Sequence, residues 1–191
     1  MAGYVDVPHS TYDEWRANTI GNEYDLDGQA GYQCWDYASL FWRNLGFPAG
    51  YPLTGNHYAY GCWTLERYQN LGTSSIGVQF ELVELLATVK KGDIVVLDQG
   101  RYTGDVAGHI AFADEDYQGG NTLRLVGQNQ EHPSASVGYK VTADDMSMTK
   151  FLGAFRYKGW HQPVPPTPTR RKSKFPWFLY TNKLNKMRTG N

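Results

Sequence analysis

Cys34, His109 and Asn129 are the residues through which this chain could run nucleophilic chemistry. A thiol attacks a carbonyl once a base has taken its proton, and an imidazole does so near neutral pH when a third polar group holds its tautomer. Cys34 precedes an apolar run at helical spacing (Tyr37, Leu40, Phe41, Leu45) that stops at Gly46, with Pro48 just beyond. The spacing predicts a helix with the thiol at its N-terminus, where the backbone dipole favours a thiolate. His109 falls in GHIAFA (Gly108–Ala113), whose alternation predicts a strand with Ile110 and Phe112 on one face. The small Ala111 and Ala113 share the other face with the imidazole and leave room beside it. In the next predicted strand, Thr122–Gln130, one face carries Leu125, Gly127 and Asn129 and the other Val126, Gln128 and Gln130. Asn129 is therefore the candidate that orients the ring. Singly, each residue has an ordinary reading: a small buried thiol, a satisfied core histidine, a strand cap. Together they point to nucleophilic catalysis by a Cys-His pair.

A second constellation overlaps the first. In DLDGQAGYQCWDY the carboxylates Asp25, Asp27 and Asp36 stand at positions 1, 3 and 12 of the calcium-loop pattern D-x-[DN]-x-[DN]-G-x5-E. Two departures are visible: Ala30 replaces the glycine at position 6, and an aspartate, shorter in reach than glutamate, stands at position 12. The same residues are also compatible with an Asp-rich turn that caps the Cys34 helix.

The elements that must position these groups read as helices first and strands afterwards, an α+β arrangement. Ser10 is the expected N-cap of a short helix beginning before Trp15, with Asp13 in a capping-box role. Residues 47–62 are rich in Gly, Pro and Tyr and read as a loop, and Trp63–Leu71 as a short helix. Val78–Val89 is ambiguous between helix and strand. Strands are expected at Ile94–Leu97, Gly108–Ala113, Thr122–Gln130, Val137–Val141 and Phe151–Tyr157, with a turn at Lys91–Asp93 and a hairpin link at Asp114–Asn121. One domain is expected over residues 1–160, a proline-rich linker over 161–169, and a basic, aromatic tail over 170–191.

Composition narrows the classes. Apolar content of 41% excludes a disordered chain, and 191 residues suffice for one domain with a real core. Two cysteines allow one bridge, or a free nucleophile plus a buried thiol. The first residues lack the basic and apolar regions of a signal peptide, so cytoplasmic synthesis is expected, and no apolar run is long enough to span a membrane. A net charge of −1 hides an asymmetry: seven of the 18 basic residues lie in 170–191, where no acidic residue occurs. An acidic body with a basic tail places any contact with an anionic partner in the tail.

GYQCWDYA, GDIVVLD, GHIAFA, VGQNQ and FLGAFRY occur in that order, and together they resemble the CHAP family of cysteine, histidine-dependent amidohydrolases/peptidases. The resemblance covers roughly residues 20–160. It implies a papain-like α+β domain with helices packed on an antiparallel sheet. It further implies cleavage of bacterial peptidoglycan, as endopeptidase or N-acetylmuramoyl-L-alanine amidase, in the manner of phage endolysins. Cys34 would be the nucleophile, His109 the base and Asn129 the completing polar residue. Many members carry a glutamate two residues before that asparagine. Here the position is Gly127, with Glu131 and Asp114 the nearby carboxylates. The resemblance also implies structural calcium on Asp25, Asp27 and Asp36, with backbone oxygens near Gln29 and Gly31. Tyr51, Tyr58, Tyr60, Trp63 and Trp35 are then candidates to line a substrate groove, or simply to pack a core. The tail would meet an anionic wall polymer or a partner subunit rather than nucleic acid. The rival reading is a non-catalytic wall-binding or phage tail-associated module of the same fold.

Overall fold

The computed structural model describes residues 5–64, 79–102, 104–130 and 140–161. Helix α1 spans Tyr12–Thr19. Its N-cap is Thr11, one residue later than expected, because the Thr11 hydroxyl accepts the Glu14 N–H at 3.1 Å while the Glu14 carboxylate turns back to the Ser10 N–H. Helix α2, Cys34–Asn44, ends at Gly46, which adopts φ +88° as the stop signal required. Its residues Tyr37, Ala38, Leu40, Phe41 and Trp42 have no exposed surface, so α2 is the buried axis of the molecule.

Among the described residues six antiparallel strands form one sheet: β1 Phe80–Val83, β2 Ile94–Leu97, β3 His109–Ala113, β4 Thr122–Gly127, β5 Thr142–Ser147 and β6 Phe151–Tyr157. Their spatial order is β1-β6-β2-β3-β4-β5. The ambiguous stretch before Val89 resolves into β1 and a 3-10 turn at Leu86–Thr88. The strand expected at Val137–Val141 lies mostly outside the described residues, residues 140 and 141 are not in a strand, and an unexpected strand, β5, follows at once. Alternation misled because β5 is an edge strand of polar sequence, TADDMS, with no buried residue. A last helical turn, α3, covers Lys158–His161. The expected helix from Trp63 begins with helical residues 61–64; its remainder, like the linker and the tail, lies outside the described residues.

The sheet separates two apolar clusters. On one side α1 and α2 pack Trp15, Tyr37, Phe41 and Trp42 against Ile110, Phe112 and Phe155. On the other, Val95, Leu97, Ala111, Ala113, Leu125 and Ala154 meet. The alternation expected for β3 is therefore realised. Trp15 lies 5.1 Å from Phe41 and 6.0 Å from Phe112, ring centre to ring centre, which locks the helices to β3. Recorded pairing between β3 and β4 consists of Phe112↔Val126 and Ala113↔Leu125. Towards His109 the two strands therefore diverge, and residues 127–130 are free to turn away. That fork is where the candidate site forms.

Candidate active site

Cys34 opens α2 and lines a cleft of about 620 Å3 together with Gln33, Trp35, Asp27, Leu53, Thr54 and His57. The residue is only 8% exposed. Burial pushes its thiol above the ordinary value, opposed by the Ile110 backbone N–H that faces the sulfur and by the Arg101 guanidinium. Desolvation therefore works against the thiolate that a helix N-terminus favours. Trp35 tethers the far wall of the cleft, donating its indole N–H to Pro52 O at 2.8 Å. Of the five aromatic residues expected to line a groove, Trp35 does so. Trp63 is core packing against Phe155, Tyr51 packs on Phe47, and Tyr58 stacks on Tyr60.

His109 begins β3 directly before Ile110, opposite Leu97 of β2. The preceding Gly108 has φ +66°, and a Cβ there would sit 2.4 Å from Leu97 O, so the approach to His109 requires glycine. The ring is 1% exposed. Burial, aided by Arg101, pushes its pKa down to about 3, against the hydrogen bond to Gln130 Oε1 and the charge of Asp105. Cys34 and His109 shift in opposite directions for the same reason, loss of water. Both shifts favour the uncharged form, a thiol at Cys34 and an imidazole at His109.

Gln128, Asn129 and Gln130 leave the fork in three directions. Gln128, fully buried, accepts the Tyr24 N–H at 2.8 Å and donates to Tyr24 O at 2.7 Å and Gln33 O at 3.1 Å. Asn129, at φ +58°, donates to Gln33 Oε1 at 2.8 Å. Gln130 places its Oε1 3.4 Å from His109 Nε2. The expected orienter of the imidazole, Asn129, is thus directed at the N-cap of α2, and the amide beside the ring is Gln130. Strand alternation put Gln130 on the wrong face because β4 ends at Gly127 and the left-handed Asn129 interrupts the period of two. A Cβ at Gly127 would lie 2.8 Å from the Ala111 Cβ and 2.9 Å from Gln130 Oε1. The space that a side chain at 127 would take is filled by the Gln130 amide. Asp114 supplies no carboxylate here: it is held by Arg16 Nε at 2.6 Å and by the Tyr12 hydroxyl. Glu131 lies outside the described residues.

Arg101 and Asp105, not singled out from sequence, form an ion pair of 2.8 Å beside the histidine, and Arg101 also donates to Gly108 O. Their i,i+4 spacing in RYTGD, just before GHIAFA, was the available signal. Cys34 and Cys62 are not joined in a disulfide, and Cys62 donates to Ala59 O inside the core.

Asp25, Asp27 and Asp36 each present a carboxylate oxygen within 4.8 Å of the others. Asp36, third residue of α2 and 1% exposed, accepts the Leu26 N–H at 2.8 Å and the Gln33 N–H at 3.0 Å. Burial pushes its pKa up to about 6; those two N–H groups oppose this, and the charges of Asp27 and Asp25 reinforce it. Asp25 and Asp27 turn one oxygen each onto the Gly28 and Gln29 N–H groups. Ala30 and Gly31 both adopt positive φ, so the loop is tightly coiled without glycine at 30. Three converging hard oxygen donors, mutually repelling, suit a calcium ion. Among the described residues no helix is long and apolar enough to cross a membrane.

The family model of the CHAP domain matches residues 22–129. A curated relative, the D-alanyl-L-alanine endopeptidase of Streptococcus phage B30, is 31% identical over 170 residues. The alignment covers 89% of this chain and 35% of that protein, so the chain spans about a third of its relative's length. Among solved structures, the wild type endolysin LysIME-EF1 shares the fold with a TM-score of 0.56 at 24% identity. That match covers 77% of this chain and 64% of the other, again a little under two thirds of the neighbour's length.

Proposed function

Because this chain belongs to the CHAP domain family, we propose that it is a peptidoglycan hydrolase whose Cys34 thiol attacks an amide carbonyl of the stem peptide or cross-bridge. The observation that carries this reading is the position of Cys34. It is the first residue of a buried helix, on the wall of an open cleft, with its sulfur against the backbone of the residue that follows His109. The neutral imidazole takes the thiol proton as the sulfur adds to the carbonyl carbon. Backbone N–H groups at the start of α2 receive the developing oxyanion. The imidazolium then protonates the departing amine, leaving a thioester on Cys34. A water gives its proton to His109 and its oxygen to the thioester, which releases the carboxylic acid and restores the thiol.

Endopeptidase and N-acetylmuramoyl-L-alanine amidase action share this sequence of steps. The name of the phage B30 relative makes the D-alanyl-L-alanine bond the first to examine. Calcium, held by Asp25, Asp27 and Asp36 with backbone oxygens at Gln29 and Gly31, would supply charge neutralisation in the loop that enters α2. The basic residues of 170–191 suit an anionic wall polymer, and a chain ending at residue 162 should sediment with walls less than the parent at low salt, by a margin that shrinks as salt rises.

The test is clearance of a Gram-positive wall suspension. The parent chain should lower turbidity and Cys34→Ala should not; equal lysis by both would remove Cys34 from the chemistry. Mass spectrometry of the released fragments then names the bond.

A further inference from the structure

We propose that Gln130 is the positioning residue of His109, a neutral amide that fixes the imidazole with its proton on Nε2 and leaves Nδ1 as the base. This rests on the Cys-His reading above and adds what holds the histidine to its task.

The geometry determines which end of the amide faces the ring. Gln130 Nε2 is surrounded by three acceptors: Leu125 O at 3.1 Å, Thr142 O at 3.0 Å and Asp144 Oδ2 at 3.1 Å. Reversing the amide would set a carbonyl oxygen against all three, so the NH2 end stays there and Oε1 faces His109. A carbonyl oxygen only accepts, so the ring nitrogen 3.4 Å away must carry the hydrogen. Asp144 is itself held, accepting from the Thr142 hydroxyl at 2.5 Å. The anchor thus runs from edge strand β5 through Gln130 to the imidazole at the start of β3. Gly127 completes the arrangement, since any side chain there would meet Gln130 Oε1.

An amide carries no charge to hold an imidazolium, unlike a carboxylate in the same place. It orients the ring in its neutral form, which is the form burial already favours at His109. The Gln130 bond favours the charged ring less than burial disfavours it, so His109 starts neutral while its orientation is held.

The tautomer is read by long-range 15N–1H correlation of the histidine rings at neutral pH, in protein without substrate. In the parent chain His109 should show a protonated Nε2 and a bare Nδ1. Gln130→Met keeps length and bulk but offers no oxygen. It should give mixed tautomers and lower the initial rate on saturating purified walls on the order of 100-fold, the scale expected for a misplaced catalytic group. Wall co-sedimentation should be unchanged. Asp144→Ala, a milder change at the sheet edge, should move both readouts the same way by less, and it serves where Gln130→Met folds poorly. A proton on Nδ1 in the parent chain would overturn the proposal. So would a Gln130→Met chain in which either the tautomer or the rate stays as in the parent. Because the tautomer is read without substrate, a missing wall activity would sink the hydrolase reading and leave this measurement standing.

Discussion

Asn129 donates to Gln33 Oε1 at 2.8 Å, joining the end of the sheet to the residue that caps the Cys34 helix. The bond crosses the seam along which thiol and imidazole must be brought together. Asn129 also adopts φ +58°, a conformation asparagine tolerates and alanine resists. Asn129→Ala should therefore cost about 1 kcal/mol for the lost hydrogen bond and about 1 kcal/mol more for the strained backbone. Asn129→Gly should lose only the first. Urea unfolding of the two variants separates the contributions, and equal costs would remove backbone strain from the account. Both variants should lyse walls more slowly, because the helix start is less firmly placed.

Much of this was legible in residues. The Tyr37, Leu40, Phe41 spacing and Gly46 define α2 because a buried helix needs an apolar stripe and a residue that can end it. GHIAFA reads as a strand because its two faces differ in kind, and the structure places Ile110 and Ala111 in separate clusters. What escaped were places where a local period breaks. β5 has no apolar face to show, so its polar sequence hides a strand that exists by pairing with β4. Asn129 was expected beside the imidazole and Gln130 stands there instead, because the left-handed Asn129 breaks the alternation after Gly127 and changes which side chain looks at His109. Arg101 and Asp105 meet within a loop, where sequence spacing carries little directional information.

The Arg101–Asp105 pair should be a major support of the loop before His109. The Asp105 side chain is 1% exposed and accepts from the Arg101 backbone and side chain and from the Gly108 N–H. Arg101→Leu leaves that carboxylate buried without its cation, at a cost of about 3 kcal/mol. Arg101→Leu combined with Asp105→Asn should recover part of the loss. A double-mutant cycle by chemical denaturation measures it, and additive losses would show that the two groups are not coupled.

Acid should destabilise the fold through His109. Its pKa is about 3 in the folded chain against an ordinary 6.5, so the unfolded chain binds the proton first as pH falls. The contribution of the neutral ring is whole above about pH 6.5 and is lost progressively towards about pH 3, an effect on the order of 4 kcal/mol. His109→Leu lacks this term. Melting curves of the two chains between pH 7 and pH 4 should therefore converge or cross as pH falls, with the parent losing more. Parallel curves would mean that His109 is readily protonated in the folded state.

Calcium should stabilise the chain through the three aspartates at the entry to α2. With the carboxylates close together and Asp36 tied to both Leu26 and Gln33, neutralising the cluster firms the backbone that leads into Cys34. At a calcium concentration about a hundredfold above its dissociation constant, mass action contributes about 2.7 kcal/mol, or roughly 5–10 °C in melting temperature. EGTA should reverse the gain, and magnesium, which demands tighter octahedral geometry, should not reproduce it. Asp27→Asn is the informative variant. Its Oδ1 can still accept the Gln29 N–H, so the turn survives while one negative charge is lost. That chain should melt near the EGTA-treated parent with little response to calcium, in scanning calorimetry with and without the ion. A full calcium response in Asp27→Asn would place the ion elsewhere; no response in the parent would leave the aspartates as a helix-capping turn.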